Sequence, residues 1–296
     1  TNNIIYIGTG ENNSSRSSYS GVGIYKSNNN GKTWQHIGLA ESHHIGRIVL
    51  HPTQPQTLWV AAIGHLYSTN KERGIFKTTD GGKTWQHTLY IDDTTGCIDL
   101  TADAFNPNIL YAAAWHRHRQ AWNFVESGAT SGIYKSDDGG ITWKALTIAG
   151  SGFPQGAGNG RIGLATSKLN SNVVYAVIDN QAARPAKKPE KGLNKDTLRN
   201  MSQAQFLNVS DSLIDAYLDK NDFPQKYNAT YVKQQIRDGK IKPIALVHYI
   251  EDANTALFDT EVTGAEVYKS TDAGIHWTKQ NLNYLDEIFY TYGYFF

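Results

Sequence analysis

Two arginines occupy the same place in separate copies of a recurring segment. Arg47 lies in GRIVLHP and Arg161 in GRIGLAT, each directly after a glycine near the start of a predicted strand. Cys97 takes that place in a third copy, GCIDLTA. A guanidinium group is planar, stays charged and can donate two parallel hydrogen bonds, which suits a carboxylate or phosphate ligand. Both arginines are therefore candidate ligand-binding residues. The alternative is that each one pairs with a carboxylate or carbonyl of the chain itself.

The segment WHRHRQAWNFVESG (115–128) is the second candidate for binding chemistry. Its tryptophans, Trp115 and Trp122, offer flat rings that can stack on sugars or on aromatic side chains of a peptide. Arg117 and Arg119 add charged groups beside them. The alternative is a loop that packs its tryptophans over a strand and leaves the basic residues in water. With two residues from GHLYSTNKER, the predicted ligand-binding set is Arg47, Arg161, His65, Tyr67, Trp115, Arg117, Arg119 and Trp122.

Carboxylates that could hydrolyse a glycosidic bond occur on the same predicted loops. Hydrolysis needs two carboxyl groups about 5–5.5 Å or about 6.5–9.5 Å apart across a cleft. The candidates are Glu11, Glu41, Glu72, Asp92, Asp93 and Glu126. Glu126, Asp93 and Glu72 are the preferred choices, but nothing in their spacing selects a pair. The sequence therefore favours a binding function over catalysis and keeps a glycoside hydrolase as the alternative.

Metal and cofactor sites are not expected. His43 and His44 are adjacent, which is a poor spacing for joint coordination of one ion. Cys97 is the only cysteine, so the chain can form neither an internal disulfide nor a cysteine-based zinc site. We therefore predict no metal and no cofactor.

Composition narrows the classes of function. The 296 residues include 28 Lys and Arg against 27 Asp and Glu, a formal net charge of +1, which argues against a nucleic-acid-binding protein. No apolar run is long enough to span a membrane. The N-terminus, TNNIIYIGTGE, has no basic region followed by an apolar stretch, so no signal peptide is predicted there. Hydrophobic residues make up 40%, enough for a sizeable core.

A repeat organises the elements that carry these residues. GIYKSNNNGKTW, GIFKTTDGGKTW, GIYKSDDGGITW and EVYKSTDAGIHW end at Trp34, Trp85, Trp143 and Trp277. Between them, segments such as GRIVLHPTQPQTLWVAA read as strand, polar turn and strand. Each unit thus contains four short strands, called A to D, and four strands about every 50 residues are typical of β-propeller blades. The fold class is predicted to be all-β, with four-stranded blades and one α-helical insertion.

The turn between strands C and D has its own local chemistry. A short Asp or Asn side chain accepts backbone N–H groups of its own turn, and glycine permits the positive φ that closes a hairpin. These turns resemble the Asp-box, the bacterial neuraminidase-type (BNR) repeat, whose role is structural. The residues at its positions are Asn29, Gly31 and Trp34; Asp80, Gly82 and Trp85; Asp138, Gly140 and Trp143; and Asp272, Gly274 and Trp277. Asn29 and His276 depart from the usual Asp and Thr.

The wider sequence resembles a more particular group. IGRIVLHP, GHLYSTNKERGIFKTTDGGKTW, WNFVESG and IEDANTALFDTEVTGAEVYKS are similar to secreted bacterial proteins with a sortilin-type Asp-box propeller, often called glycosyl hydrolase-like. The resemblance implies a secreted, periplasmic or cell-surface protein and a propeller with more blades. Sialidases of this kind bind their substrate carboxylate with three arginines and use a Tyr nucleophile supported by Glu. Only Arg47 and Arg161 lie at equivalent blade positions here.

The predicted domain organisation follows the repeats. Residues 1–179 form blades 1 to 3 and strands A and B of blade 4, residues 180–263 form the helical insertion, and residues 264–296 form strands C and D and a lone A strand. That strand, at 288–296, belongs to a following blade of a larger propeller or closes a four-bladed ring with blade 1; we favour the larger propeller. Its remaining blades or partner subunits would then cover the open edges.

Long, varied loops all fall between strands B and C or between D and the next A. Loops of this kind on a rigid scaffold tend to carry function. The predicted function is non-catalytic, extracellular recognition of a protein, peptide or glycan by that face. A structural subunit of a cell-surface assembly is a further alternative.

Overall fold

The computed structural model describes residues 3–15, 18–120, 122–185, 192–250 and 262–285. The chain divides into two compact units. The first contains Thr1–Ala183 and Val262–Phe296, and the second contains Arg184–Glu261.

The first two sheets are antiparallel meanders in which each strand pairs with the next. Blade 1 is three-stranded, and its strands are β1 (Ile5–Gly8), β2 (Ile24–Ser27) and β3 (Gln35–His36). A short 3-10 helix, Ala40–Ser42, leads into blade 2. Blade 2 is four-stranded, and its strands are β4 (Ile45–Leu50), β5 (Leu58–Ala62), β6 (Gly74–Thr78) and β7 (Gln86–Leu89).

The next two sheets repeat the four-stranded pattern with insertions. Blade 3 consists of β8 (Thr95–Ala102), β9 (Leu110–His116), β12 (Gly132–Ser136) and β13 (Lys144–Ala145); β10 (His118–Arg119) pairs with β11 (Phe124–Val125) in the loop between β9 and β12. Blade 4 consists of β14 (Asn159–Thr166), β15 (Val174–Ala183), β16 (Val262–Ser270) and β17 (Thr278–Lys279). The predicted fold class, four-stranded propeller blades with a helical insertion, is confirmed.

Neighbouring blades pack face to face through apolar side chains of their inner strands. Every residue of β5 is buried, and so are Ala112, Ala113 and Ala114 of β9, whose small side chains let the sheets approach closely. The indole Nε1 of Trp59 donates to the carbonyl of Gly139 at 2.8 Å, which ties blade 2 to the C–D turn of blade 3. Apolar burial and cross-blade hydrogen bonds therefore hold successive sheets together.

In blades 2 and 3, a glycine of the A strand lies where that strand closely approaches the backbone of the neighbouring blade. A Cβ added to Gly46 would lie 2.3 Å from the carbonyl oxygen of Ile98, and one added to Gly96 would lie 2.2 Å from that of Ile63. Strand register also shifts at this place in β4, β8 and β14, next to Arg47, Cys97 and Arg161. The GR or GC pair of the repeat thus combines a close backbone approach with a bulge.

The four C–D turns share one hydrogen-bond pattern. In blade 3, the hydroxyl of Ser136 donates to Asp138 Oδ1 at 2.8 Å and accepts from Gly140 N at 2.8 Å. Asp138 also accepts from Thr142 N and Thr142 Oγ1, and these bonds hold the pKa of its carboxyl well below the usual range.

The two atypical turns keep this arrangement with different donors. In blade 1, Asn29 Nδ2 donates to Thr33 Oγ1 at 2.8 Å, where an aspartate would accept. In blade 4, His276 Nδ1 lies 2.7 Å from Asp272 Oδ2.

The second unit is helical and has its own core. Its helices are α1 (Lys195–Asn200), α2 (Gln203–Leu207), α3 (Asp211–Lys220), α4 (Ala229–Arg237) and α5 (Ala245–Ile250). Phe206, Ile214, Val232 and Val247 are buried among them. Within the described ranges, no helix is long and apolar enough to cross a membrane.

Helix α4 begins after Asn228, whose side chain accepts from Tyr231 N and so caps the first turn. The predicted A strand at 288–296 lies outside the described residues.

Candidate functional site

The B–C and D–A loops leave the same edge of each sheet of the first unit. They contact one another across blade boundaries, so we call them together the loop face. Its described residues are 9–15, 18–23, 37–44, 63–73, 90–94, 117–120, 122–131 and 146–158.

Three consecutive carbonyls of the blade 1 loop bind three arginines of other blades. Arg161 Nη1 donates to Asn12 O at 3.3 Å, Arg117 Nη1 to Asn13 O at 2.7 Å and Arg119 Nη1 to Ser14 O at 2.6 Å. These contacts connect blade 1 to the loops and strands of blades 3 and 4.

Arg117 and Arg119 are internal, whereas the sequence predicted that they contact either a ligand or water. Both side chains are buried. Burial, followed by the charges of Arg73 and Arg161, lowers the pKa of Arg117 to about 9, so it stays protonated at neutral pH. In this structure the arginines organise the loop face and do not line its surface.

The two tryptophans of the 115–128 segment have opposite environments. Trp115 is 2% exposed, and its Nε1 donates to the carbonyl of Glu126 at 2.7 Å. The guanidinium carbons of Arg117 and Arg161 lie 5.3 and 5.6 Å from its ring centroid. Trp115 is therefore an internal residue and not an exposed platform, whereas Trp122 is 83% exposed.

Arg47 and Arg161, which occupy equivalent positions in the repeat, also differ in their partners and exposure. Arg47 Nε donates to Asp99 Oδ1 at 2.8 Å, and Asp99 Oδ2 accepts from Leu164 N at 2.8 Å. The Arg47 side chain nevertheless remains 56% exposed. Arg161 is half-buried, and burial lowers its pKa to about 10. The structure thus supports the pairing alternative for Arg47 while leaving part of its side chain exposed.

The three preferred carboxylates come from three different loops, and two of them have side-chain partners close in sequence. Glu72 Oε2 accepts from Asn70 Nδ2 at 3.2 Å, and Asp93 accepts from the hydroxyl of Tyr90. Glu126 is half-buried beside Trp115.

Exposed aromatic side chains are distributed over the loop face. Tyr19 is 74% exposed, Tyr67 53%, Tyr90 44% and Trp122 83%, and each lies on or beside a different loop. Large exposed aromatic groups are typical of surfaces that bind other molecules.

Two loops also bring together Glu41, His43 and His65. One ligand atom from each side chain lies within 4.8 Å of the others. The rings of His43 and His65 are stacked, with centroids 3.6 Å apart and an interplanar angle of 18°. Burial, followed by the neighbouring charge of His65, lowers the pKa of His43.

Comparison with known proteins identifies the family. The Sortilin-Vps10 family model, described as sortilin, neurotensin receptor 3, matches residues 22–206. The chain belongs to the Sortilin-Vps10 family. This is a β-propeller family, in agreement with the repeated sheets. No curated protein matches the chain.

Solved structures with related sheets are larger and distant in sequence. A GH74 enzyme from Niastella koreensis is 16% identical, with a TM-score of 0.47 over 93% of this chain and 27% of that one. A GH74 xyloglucanase from Xanthomonas campestris is 11% identical, with a TM-score of 0.45 over 94% and 28%. YCF48 bound to D1 peptide is 15% identical, with a TM-score of 0.30 over 62% and 53%. This Sortilin-Vps10 chain therefore spans about a quarter of the length of the GH74 structures.

Two residues that shape the site of this Sortilin-Vps10 chain, Arg73 and Asp179, were not among the predicted site residues. Arg73 is fully buried and donates to the carbonyls of Ile63 and Ser68 at 2.8 and 3.0 Å, which fixes the loop after β5. Asp179 on β15 is buried, and that burial raises its pKa to about 6. No motif pointed to Asp179, because its environment is created by strands distant in sequence.

Proposed function

We propose that this chain is a non-catalytic, extracellular binding propeller that recognises a protein, peptide or glycan through the loop face. The observation that carries the proposal is the set of exposed aromatic side chains on its loops, Tyr19, Tyr67, Tyr90 and Trp122. Aromatic rings provide large contact areas with few rotatable bonds, so they lose little entropy when a ligand immobilises them.

The buried arginines support this proposal by holding the loops. Arg117 and Arg119 bind carbonyls of the blade 1 loop, and Arg73 binds carbonyls of its own loop. A surface whose loops are fixed before binding avoids part of the entropic cost of ordering them in the complex. Arg47, whose side chain is partly exposed, can add a charged contact for an acidic group of the ligand.

Binding to arrays of glycans and of peptides identifies a ligand, and variants then test the surface. We expect Trp122→Ala and Tyr67→Ala each to weaken binding of that ligand by about 2 kcal/mol, or roughly 30-fold, as for an interface hot spot. Phe105→Ala is the matched control, because Phe105 is 60% exposed but lies on the A–B turn between β8 and β9. Equal affinities of all three variants and the original chain would contradict the proposal.

A glycoside hydrolase is the second candidate, and Asp179 is the observation that favours it. A general acid in such an enzyme needs a raised pKa, and burial gives Asp179 a pKa of about 6. Polysaccharide hydrolysis that is lost in Asp179→Asn, Glu126→Gln or Asp93→Asn would replace the binding proposal. A chain that binds a polysaccharide without cleaving it supports the binding function.

A further inference from the structure

We propose that Glu41, His43 and His65 form a binding site for zinc or a similar divalent transition metal. Two imidazoles and one carboxylate make up a common zinc donor set, which leaves a fourth position for water or a ligand group. The possible ligand atoms of the three residues lie within 4.8 Å of one another, and His65 Nε2 is 3.7 Å from Glu41 Oε2. This site goes beyond the proposed recognition of a protein, peptide or glycan.

One amide side chain joins the two loops that supply the donors. Asn70 Oδ1 accepts from the backbone N–H of His65 at 2.9 Å, and Asn70 Nδ2 donates to the carbonyl of Glu41 at 2.9 Å. Arg73 donates to the carbonyl of His65. These hydrogen bonds hold the backbones of Glu41 and His65 next to each other, so the fold itself brings the two loops together.

The hydrogen bonds of His65 leave one of its nitrogens for a ligand. Its Nδ1 lies 2.8 Å from Ser68 Oγ, a contact that orients the ring as outer-shell partners of metal-binding histidines do. Its Nε2 is buried and has no hydrogen-bond partner among the described residues. A buried polar atom without a partner is costly, so a metal ion at Nε2 would remove a penalty that this atom otherwise carries.

The stacked rings define one movement that binding requires. A metal ion lies in the plane of each imidazole that coordinates it, whereas the rings of His43 and His65 are nearly parallel, at 18°. One ring must therefore turn out of the stack. Glu41 can follow, because its side chain is 69% exposed.

Calorimetric titration of zinc into the tag-free full chain, after treatment with a chelator, tests the site. We expect one zinc ion per chain, and at least a tenfold loss of affinity in His43→Asn and in His65→Asn. Asparagine suits position 43 because that backbone has a φ of 54°, which asparagine tolerates better than most residues. His248→Asn is the control, since it removes an exposed imidazole from the helical unit, and it should bind zinc as the original chain does.

Absence of zinc binding would overturn the site, as would zinc binding that neither histidine variant weakens. Thermal unfolding without zinc checks that each variant is folded. If a histidine variant unfolds, the zinc affinity of Glu41→Gln tests the site instead, because this exposed side chain can change without disturbing the core. Unchanged zinc affinity in Glu41→Gln would then contradict the proposal, and a loss of affinity would support it.

Discussion

Arg117 shows how a residue with the right chemistry for a ligand can serve the fold. Its guanidinium donates to Asn13 O and Gly64 O, and it lies over the ring of Trp115. Neutral carbonyls and an aromatic face compensate for part of the cost of burying its charge. The sequence correctly identified a segment rich in arginine and tryptophan, but residue types alone could not say whether those groups point into the protein or out of it.

The buried carboxyl of Asp179 predicts how the stability of the fold depends on pH. Burial raises its folded-state pKa to about 6, above the unfolded value near 4. The unfolded state therefore loses this proton first, and the Asp179 contribution makes the fold less stable as pH rises from about 4 to about 6.

We expect Asp179→Asn to gain stability relative to the original chain over that interval, by a difference on the order of 3 kcal/mol between pH 4 and pH 7. Urea unfolding at both pH values measures it. Asp219→Asn, which changes an exposed carboxyl of the helical unit, is the control. A stability difference for Asp179→Asn that is the same at both pH values would contradict the assignment.

At the scale of the element, the C–D turns were the most predictable part of the chain. Their hydrogen bonds join atoms no more than four residues apart, such as Ser136 Oγ to Gly140 N. Because all contacts of this motif lie within a few residues, they form wherever the motif occurs. The repeated sequence therefore predicts the repeated turn. Blade 1 shows that the turn tolerates substitution, because Asn29 reverses one hydrogen bond with Thr33 and still accepts from Thr33 N and from the hydroxyl of Ser27.

That comparison predicts how the turn of blade 3 responds to substitution. Asp138→Ala removes the acceptor for Thr142 N and Ile141 N and should lower the urea midpoint. Asp138→Asn should have a much smaller effect, because an amide can accept from the same N–H groups and donate to the Thr142 hydroxyl, as Asn29 does with Thr33. Equal destabilisation by both substitutions would show that the charge matters more than the local hydrogen bonds.

The low pKa of Asp138 also predicts how the effect of the substitution depends on pH. A folded-state pKa held below the unfolded value stabilises the fold above the unfolded pKa, near 4, and this contribution is lost as pH falls further. The difference in urea midpoint between the original chain and Asp138→Asn should therefore shrink below pH 4.

At the scale of the whole molecule, the two units have separate apolar cores. The helical unit follows β15 and precedes β16, and these strands pair down to Ala183 and Val262. We expect that replacing residues 185–260 by a short turn leaves the first unit folded, because its strand ends are already adjacent. Near-ultraviolet circular dichroism and thermal unfolding test this, with the full chain as reference. Loss of cooperative unfolding in the shortened chain would show that the propeller unit depends on the helices.

The sequence by itself determined the blades, the C–D turns and the helical character of the insertion, because strand patterns and turn hydrogen bonds arise from residues close in the chain. Only the tertiary structure decided the roles of the candidate residues. It buried Trp115 and Arg117, left Trp122 exposed, and placed His43 against His65. Burial and charge at these positions depend on partners that other blades supply, such as the carbonyl of Asn13 for Arg117. No periodicity or spacing within one segment contains that information.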